Sequence, residues 1–333
     1  MKKTLIILLV AAGLLSACGE KTKTSSQETD TIALQPCPEF SEDSAFVWIE
    51  RQCAFGPRVT GSEAWRRCGD WLCGEFERHG CLVEEQRGEV KMWDGTPLNA
   101  RNITARYNPE EKRRVLLCAH WDSRPWADND EDEGNHHTPV PAANDGASGV
   151  AVMLEIAHLL HETDSMLPCG VDFVCFDAED AGTPYWAEDN GEGAKTWCLG
   201  SQMWSEKMKE QEEKPVYGIL FDMVGGYGAT FSMEEASVRY ARPLVNRLWQ
   251  IAGQIGYGHY FPKRDGGGVV DDHLYVNRAG IPCIDIIPYH EYGRSVFGHT
   301  WHTLEDTPEN IDRKVLKAVG QSVVQLLYNE KRK

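Results

Sequence analysis

No two cysteines in this sequence are separated by two residues, so the spacing that builds thiolate zinc sites is missing. The zinc-binding helix HExxH is missing too, because His161-Glu162 runs into Thr163 and Asp164. Neither a GxSxG nucleophile elbow nor a GxxxxGK phosphate loop occurs, which removes serine-hydrolase and P-loop chemistry. Basic residues are in short supply: 34 Lys and Arg stand against 51 Asp and Glu, for a formal charge of -17. That balance excludes nucleic acid and an anionic membrane surface as partners. Much of the excess lies in Asp128–Glu133 and Glu206–Glu213, which read as solvated faces. No internal repeat is present, and after Leu15 no segment is apolar enough to cross a bilayer.

What is present begins with a processing segment. Lys2 and Lys3 precede an apolar run, Thr4–Leu15, and then Leu15-Ser16-Ala17-Cys18. The run is short for a membrane span, and small residues before a cysteine resemble a bacterial lipobox. The expectation is a lipoprotein signal peptide over 1–17, lipidation of Cys18 and a flexible polar tether to residue 36. Membrane contact then comes only through the lipid on Cys18, with the domain held outside the cytoplasm. In that compartment disulfides are permitted. Cys37, Cys53, Cys68, Cys73 and Cys81 are the candidates for bridges, with their connectivity open.

Residues 37–333 are enough for one large core. Capped amphipathic patterns predict helices over Ser41–Cys53, Ser62–Arg78, Val150–Leu160, Gln202–Lys209, Pro243–Ile255 and Asp312–Tyr328. Hydrophobic runs predict strands over Cys81–Gln86, Asn102–Arg106, Arg114–Ala119, Asp172–Phe176, Val216–Phe221 and Pro282–Ile287. This alternation predicts a single α/β domain, a three-layer sandwich with a mixed twisted central sheet and helices on both faces.

The chemistry gathers at the strand ends. Phe173–Asp180 runs from a buried strand into Glu179 and Asp180; Arg114–Ala119 leads to His120 and Asp122; Val216–Phe221 leads to Asp222; and Pro282–Ile287 leads to the segment His290–His302. Asp145 sits just before a helix in the same topology. Ligands of open α/β sheets bind outside the carboxyl ends of the strands. Carboxylates crowded there repel one another unless a divalent cation joins them. Oxygen and imidazole donors without sulfur, spread over loops, suit an open catalytic zinc site.

His120-x-Asp122, Asn144-Asp145-Gly146-x-Ser148-Gly149, Glu179-Asp180, Gly200-Ser201, Asp222 and a late histidine resemble the co-catalytic zinc aminopeptidase superfamily, over about residues 45–328. Within it the chain is most similar to the glutaminyl-peptide cyclotransferases, or glutaminyl cyclases. Trp301 directly precedes His302, and Asp271-Asp272-His273 leads to Arg278-x-Gly280-Ile281-Pro282. A long aromatic insertion also separates Glu179-Asp180 from Gly200-Ser201.

The resemblance implies one zinc ion held by Asp145, Asp180 and His302, although animal members have Glu where this chain has Asp180. It implies Glu179 as general acid/base, with Asp222 and Asp271 in an acid network beside it and His120 supporting the site as a donor. It also implies an apolar pocket of Trp301, Phe297 and either Tyr185 or Trp186. The implied substrates are peptides and exported proteins with N-terminal glutamine, cyclised to pyroglutamate with loss of ammonia. The alternative is a di-zinc aminopeptidase of the same fold, in which Asp145 bridges two ions and His120 and Asp222 complete the second site. His273 is expected to partner Asp271 or Asp272.

Overall fold

The structure is a computed structural model that describes residues 31–163, 167–188, 193–290 and 295–330. The signal segment, Cys18 and the first part of the tether lie outside the described residues. From Ala33 onward the chain forms one compact unit.

Among the described residues six strands form one mixed sheet: β1 (Leu82–Lys91), β2 (Pro97–Tyr107), β3 (Arg114–His120), β4 (Gly170–Phe176), β5 (Gly218–Phe221) and β6 (Cys283–Ile286). The spatial order is β1-β2-β4-β3-β5-β6. β1 and β2 form an antiparallel hairpin whose second strand pairs antiparallel with β4. β4, β3, β5 and β6 are mutually parallel. Their carboxyl ends therefore share one edge, where the acids and imidazoles were expected.

Among the described residues seven α-helices flank the sheet: α1 (Glu42–Cys53), α2 (Glu63–Arg78), α3 (Ala147–Glu162), α4 (Leu199–Lys209), α5 (Glu235–Gln254), α6 (Asp272–Arg278) and α7 (Arg313–Tyr328). Ser41, Ser62 and Asp312 cap α1, α2 and α7 by accepting backbone N–H bonds. Helix α5 begins earlier than expected, because two helical stretches join across a non-helical Ala241. Pro243 has no N–H to donate, so the second stretch can start there without losing a bond. Helix α6 was not foreseen at all, being only seven residues long.

Strand alternation divides the core between the two faces. Leu116, Cys118, Val174, Phe176 and Leu220 pack with Trp204 of α4 and Val276 of α6. Helix α3 packs on β3 and β5 from the other face, and at Gly149 the approach is close. A Cβ there would lie 2.3 Å from the carbonyl oxygen of Phe221 and 2.8 Å from Ala119 Cβ. Backbone cannot yield as a flexible side chain can, so Gly149→Ala is expected to destabilise the fold by about 1–3 kcal/mol. Gly253→Ala, on exposed α5 with nothing within 4 Å of the new methyl, is expected to stabilise by roughly 0.5–1 kcal/mol. Urea midpoints of the two variants check the contrast, and equal midpoints would refute it.

At the end of α2, His79 packs against His158 and His161 of α3, with ring centroids 5.2 and 6.3 Å apart. Burial, followed by the charge of His158, pushes the His79 pKa down to about 4. An unfolded histidine titrates near 6.5, so between those values the unfolded chain binds a proton that the folded chain refuses. Stability is then fully present above that window and is lost as pH falls through it. His79→Phe is expected to flatten the fall in urea midpoint between about pH 6.5 and 4; an unchanged slope would rule the histidine out.

The expected disulfides are not formed, and all ten described cysteines are free. They are occupied separately. Cys68 is buried and Cys81 nearly so, Cys73 faces Glu85 and Arg101, Cys37 meets Gln321 and Gln325, and Cys53 lies against the Pro141 carbonyl.

Candidate active site

The Glu179-Asp180 pair is placed by a strand end and Asp145 by the turn before α3, and a second carboxylate fixes the backbone of each. After β4 the chain turns through Ala178, whose φ of 51° lies in the left-handed region. Asp177, at the start of that turn, accepts hydrogen bonds from Thr60, Trp65 and the backbone of Ala178 and Arg101. Asp122, just beyond β3, accepts the N–H groups of Glu179 at 3.1 Å and Asp180 at 3.2 Å. Asp306 does the same for Asn144 at 2.7 Å and Asp145 at 3.0 Å. Gly146 follows with φ 152°, and any Cβ there would fall 2.7 Å from the His120 ring. Only glycine lets Asp145 approach His120 so closely.

The side chains then converge. His302 Nε2 lies 3.1 Å from Asp180 Oδ1 and 3.6 Å from Asp145 Oδ2. His120 Nε2 lies 2.9 Å from Asp145 Oδ1 and 3.3 Å from Asp222 Oδ1. Asp145 thus turns one oxygen toward each histidine. On the other side of His120, Glu179 Oε2 is 4.0 Å from Nδ1. Cys198 Sγ donates to Glu179 Oε1 at 3.2 Å, and Asp271 brings an oxygen within 4.8 Å of both Glu179 and Cys198.

All these groups are buried, which makes unpaired charge expensive. Burial first, then Asp180, Asp271 and Asp272, push the Glu179 carboxyl well above the usual range, against the pull of His120. Burial and neighbouring acids likewise raise Asp222 to about 6 and Asp271 to about 7.

The donor set fits a divalent cation. Asp145, Asp180 and His302 each bring a ligand atom within 4.8 Å of the others, as do His120, Asp145 and Asp222. Asp180 Oδ2 and Asp222 Oδ1 are buried and receive no hydrogen bond. A hard oxygen and imidazole set of this kind, without thiolate, is a zinc-type catalytic arrangement.

Of the expected pocket residues, Trp301 stacks on the His302 ring at 3.7 Å, and Phe297 packs on Trp301 at 5.0 Å. Tyr185 does not join them. Its backbone N–H is bound by Asp128 and the residue is 86% exposed, while Trp186 stands against Trp126 and His137. The ring that the insertion lays on His302 is Trp197, parallel to within 8° at 5.8 Å. A cavity of about 670 Å³ opens alongside, lined by His290, Gly298, His299, Thr303, Tyr227 and Asp130.

Asp128 corrects the reading of its acidic run as a solvated face. It is 6% exposed and pairs with the buried Arg124 through Nε at 2.7 Å and Nη2 at 2.5 Å. Burial works against its charge, but Arg124 holds the carboxyl well below the usual range, with His302 adding to the effect. Asp128 Oδ1 is 3.5 Å from His302 Nδ1, so it orients the ring whose other nitrogen faces Asp180 and Asp145. His273 has Asp271 within 4.8 Å, as expected of one of the two acids, but Glu234 at 3.2 Å and Asp285 at 3.5 Å lie closer.

The model of Peptidase family M28 matches residues 102–327, a span that contains every group of the convergence. Among solved structures, the glutaminyl cyclase of Tannerella forsythia is 49% identical, with 88% of this chain and 100% of that chain covered and a TM-score of 0.85. A Zn-dependent exopeptidase from Parabacteroides distasonis is 45% identical, with 89% and 100% covered and a TM-score of 0.85. Glutaminyl-peptide cyclotransferase of Bos taurus is 27% identical over 242 residues, 65% of this chain and 62% of that protein. The chain thus spans less than two thirds of the bovine relative's length. The fold, the donor set and these likenesses point to zinc as the metal, and the chain belongs to peptidase family M28, alongside bacterial glutaminyl cyclases.

Proposed function

We propose that the protein cyclises N-terminal glutamine of peptides and exported proteins to pyroglutamate, releasing ammonia, with one zinc ion held by Asp145, Asp180 and His302. The observation that carries this reading is a buried carboxylate, Glu179, adjacent in sequence to Asp180 of a three-donor site whose histidine is covered by Trp301. The substrate's α-amine attacks its own side-chain amide carbon, forming the ring C–N bond and breaking the bond to the amide nitrogen. Bound in that position, zinc would supply Lewis acidity to the amide oxygen. Glu179 takes a proton from the α-ammonium group and returns one to the departing nitrogen. Cys198 and Asp271 fix its position. Trp301 and Trp197 hold the glutamine side chain curled and keep water out, which matters because an intramolecular attack gains most from geometry. Asp128 keeps the His302 ring turned toward the site.

A second reading has one specific observation behind it: His120, Asp145 and Asp222 also converge, as a di-zinc aminopeptidase requires. The mass of a Gln-Leu peptide after incubation separates the two. Loss of ammonia from an intact chain supports the cyclase, whereas release of the first residue supports the aminopeptidase. The basic start, the apolar run and Ala17-Cys18 further support an extracytoplasmic domain anchored by lipid, testable by labelling cells with a fatty-acid analogue and comparing Cys18→Ser.

A further inference from the structure

Cys198 does no bond-making in the reaction proposed above, yet its sulfur stands among the acids. It is fully buried at the start of α4, with a left-handed backbone at φ 59°. Its neighbours are Glu179, which accepts the thiol proton at 3.2 Å, and Asp271. One donor atom from each of the three lies within 4.8 Å of the other two. Asp271 is 4% exposed; its Oδ1 accepts the N–H of Asp272 at 2.5 Å, while Oδ2 receives no hydrogen bond. The trio therefore holds a buried oxygen without a donor, a second carboxylate and a sulfur, all close enough to share one small cation.

We infer that Glu179, Cys198 and Asp271 form a second, inhibitory metal site for a thiophilic divalent cation such as Cd2+ or excess Zn2+. The two zinc-type groups already described offer only oxygen and imidazole. A sulfur donor makes this one softer, so it favours ions that compete poorly for the other positions. Binding replaces the S–H bond by a sulfur–metal bond and releases the thiol proton to solvent. The Glu179 side chain is 12% exposed, so an ion enters by the substrate's own route. Once there it occupies the carboxylate that must accept the substrate's proton, and cyclisation stops. The inhibitory half of this inference rests on the proposed function, whereas the binding half does not.

The test uses the protein carrying one equivalent of zinc, titrated with Cd2+ in the absence of substrate. One further equivalent is expected to bind without displacing zinc, with a sulfur-to-cadmium charge-transfer absorption and proton release. Cyclisation of a Gln-Leu peptide should fall with the same midpoint. In Cys198→Ser the absorption should vanish and the midpoint rise roughly 10–100-fold relative to that variant's own uninhibited rate. Cys198→Gly, which relaxes the left-handed backbone, should behave alike and guards against a folding defect in the first variant. Binding without the absorption, displacement of the resident zinc, no binding, or an unshifted midpoint in both variants would each overturn the site. A Cys198-dependent absorption with cyclisation unaffected would overturn the inhibition. A protein that never cyclises the peptide is recognised before cadmium is added, and the substrate-free titration still decides the site.

Discussion

Glu179→Gln should reduce kcat/KM for cyclisation by roughly 10²–10⁴-fold, the usual worth of a positioned general acid/base, while zinc content stays unchanged. The amide keeps the shape of the carboxyl and can still accept the Cys198 thiol, which lies 3.2 Å from Oε1. Its backbone anchor, the N–H bond to Asp122, is also retained. What it loses is the capacity to take a proton. Because proton transfer belongs to the transition state, kcat and kcat/KM should fall together, with KM nearly constant. Glu179 is not among the three residues assigned to zinc, so metal analysis of the purified variant should match the parent. The measurement is steady-state kinetics on a Gln-Leu peptide beside zinc stoichiometry. A variant that keeps more than about a tenth of the activity would remove Glu179 from proton transfer. One that loses zinc would make it a metal ligand instead.

The residues of that reaction were legible in the sequence for a definite reason. His120, the pair Glu179-Asp180 and Asp222 each follow a continuous hydrophobic run, and the three runs became parallel neighbours with their carboxyl ends together. A polar residue closing a buried strand needs no alignment to be noticed. Gly146 and Gly149 were visible as small residues, but that each is demanded by a contact with another segment, His120 and Phe221 respectively, shows only in three dimensions. Asp128 was hidden by its surroundings. It begins an acidic run in which Glu131, Asp132 and Glu133 are exposed, and Pro125 removes the helical setting in which Arg124 and Asp128 would read as an i,i+4 pair. Trp197 was hidden differently: no local period says which aromatic of an irregular insertion returns to the site, so Tyr185 or Trp186 was expected where Trp197 stands. The cysteines misled because spacing along a chain says nothing about which way a side chain faces. Helix α6 was missed for want of length, since periodicity needs more than two turns to register.

Arg124→Met should be the most damaging single substitution for stability, costing about 3–5 kcal/mol, because it strips the cation from a buried pair while leaving its carboxylates in place. Arg124 is 1% exposed. It donates two bonds to Asp128, one to the Asp180 carbonyl at 3.1 Å, and lies 3.4 Å from Asp180 Oδ1. Its guanidinium also sits 4.6 Å from the Trp197 ring and 5.4 Å from Trp126. Methionine fills much of the stem's volume, so the loss is electrostatic rather than a cavity. Asp128 would then be left with His302 as its neighbouring ionisable partner, and one imidazole cannot serve both Asp128 and the acids at its other nitrogen. Asp128→Asn alone should cost less, since an amide oxygen still accepts from Arg124. In Arg124→Met with Asp128→Leu the orphaned charge is gone, and much of the loss should return. Urea denaturation of the zinc-loaded single and double variants measures the coupling. A single-variant loss below about 1 kcal/mol, the level of an exposed pair, would show that Asp128 and Asp180 do not depend on Arg124, and that the loop bearing both Asp128 and the His302 contact is held by its backbone alone.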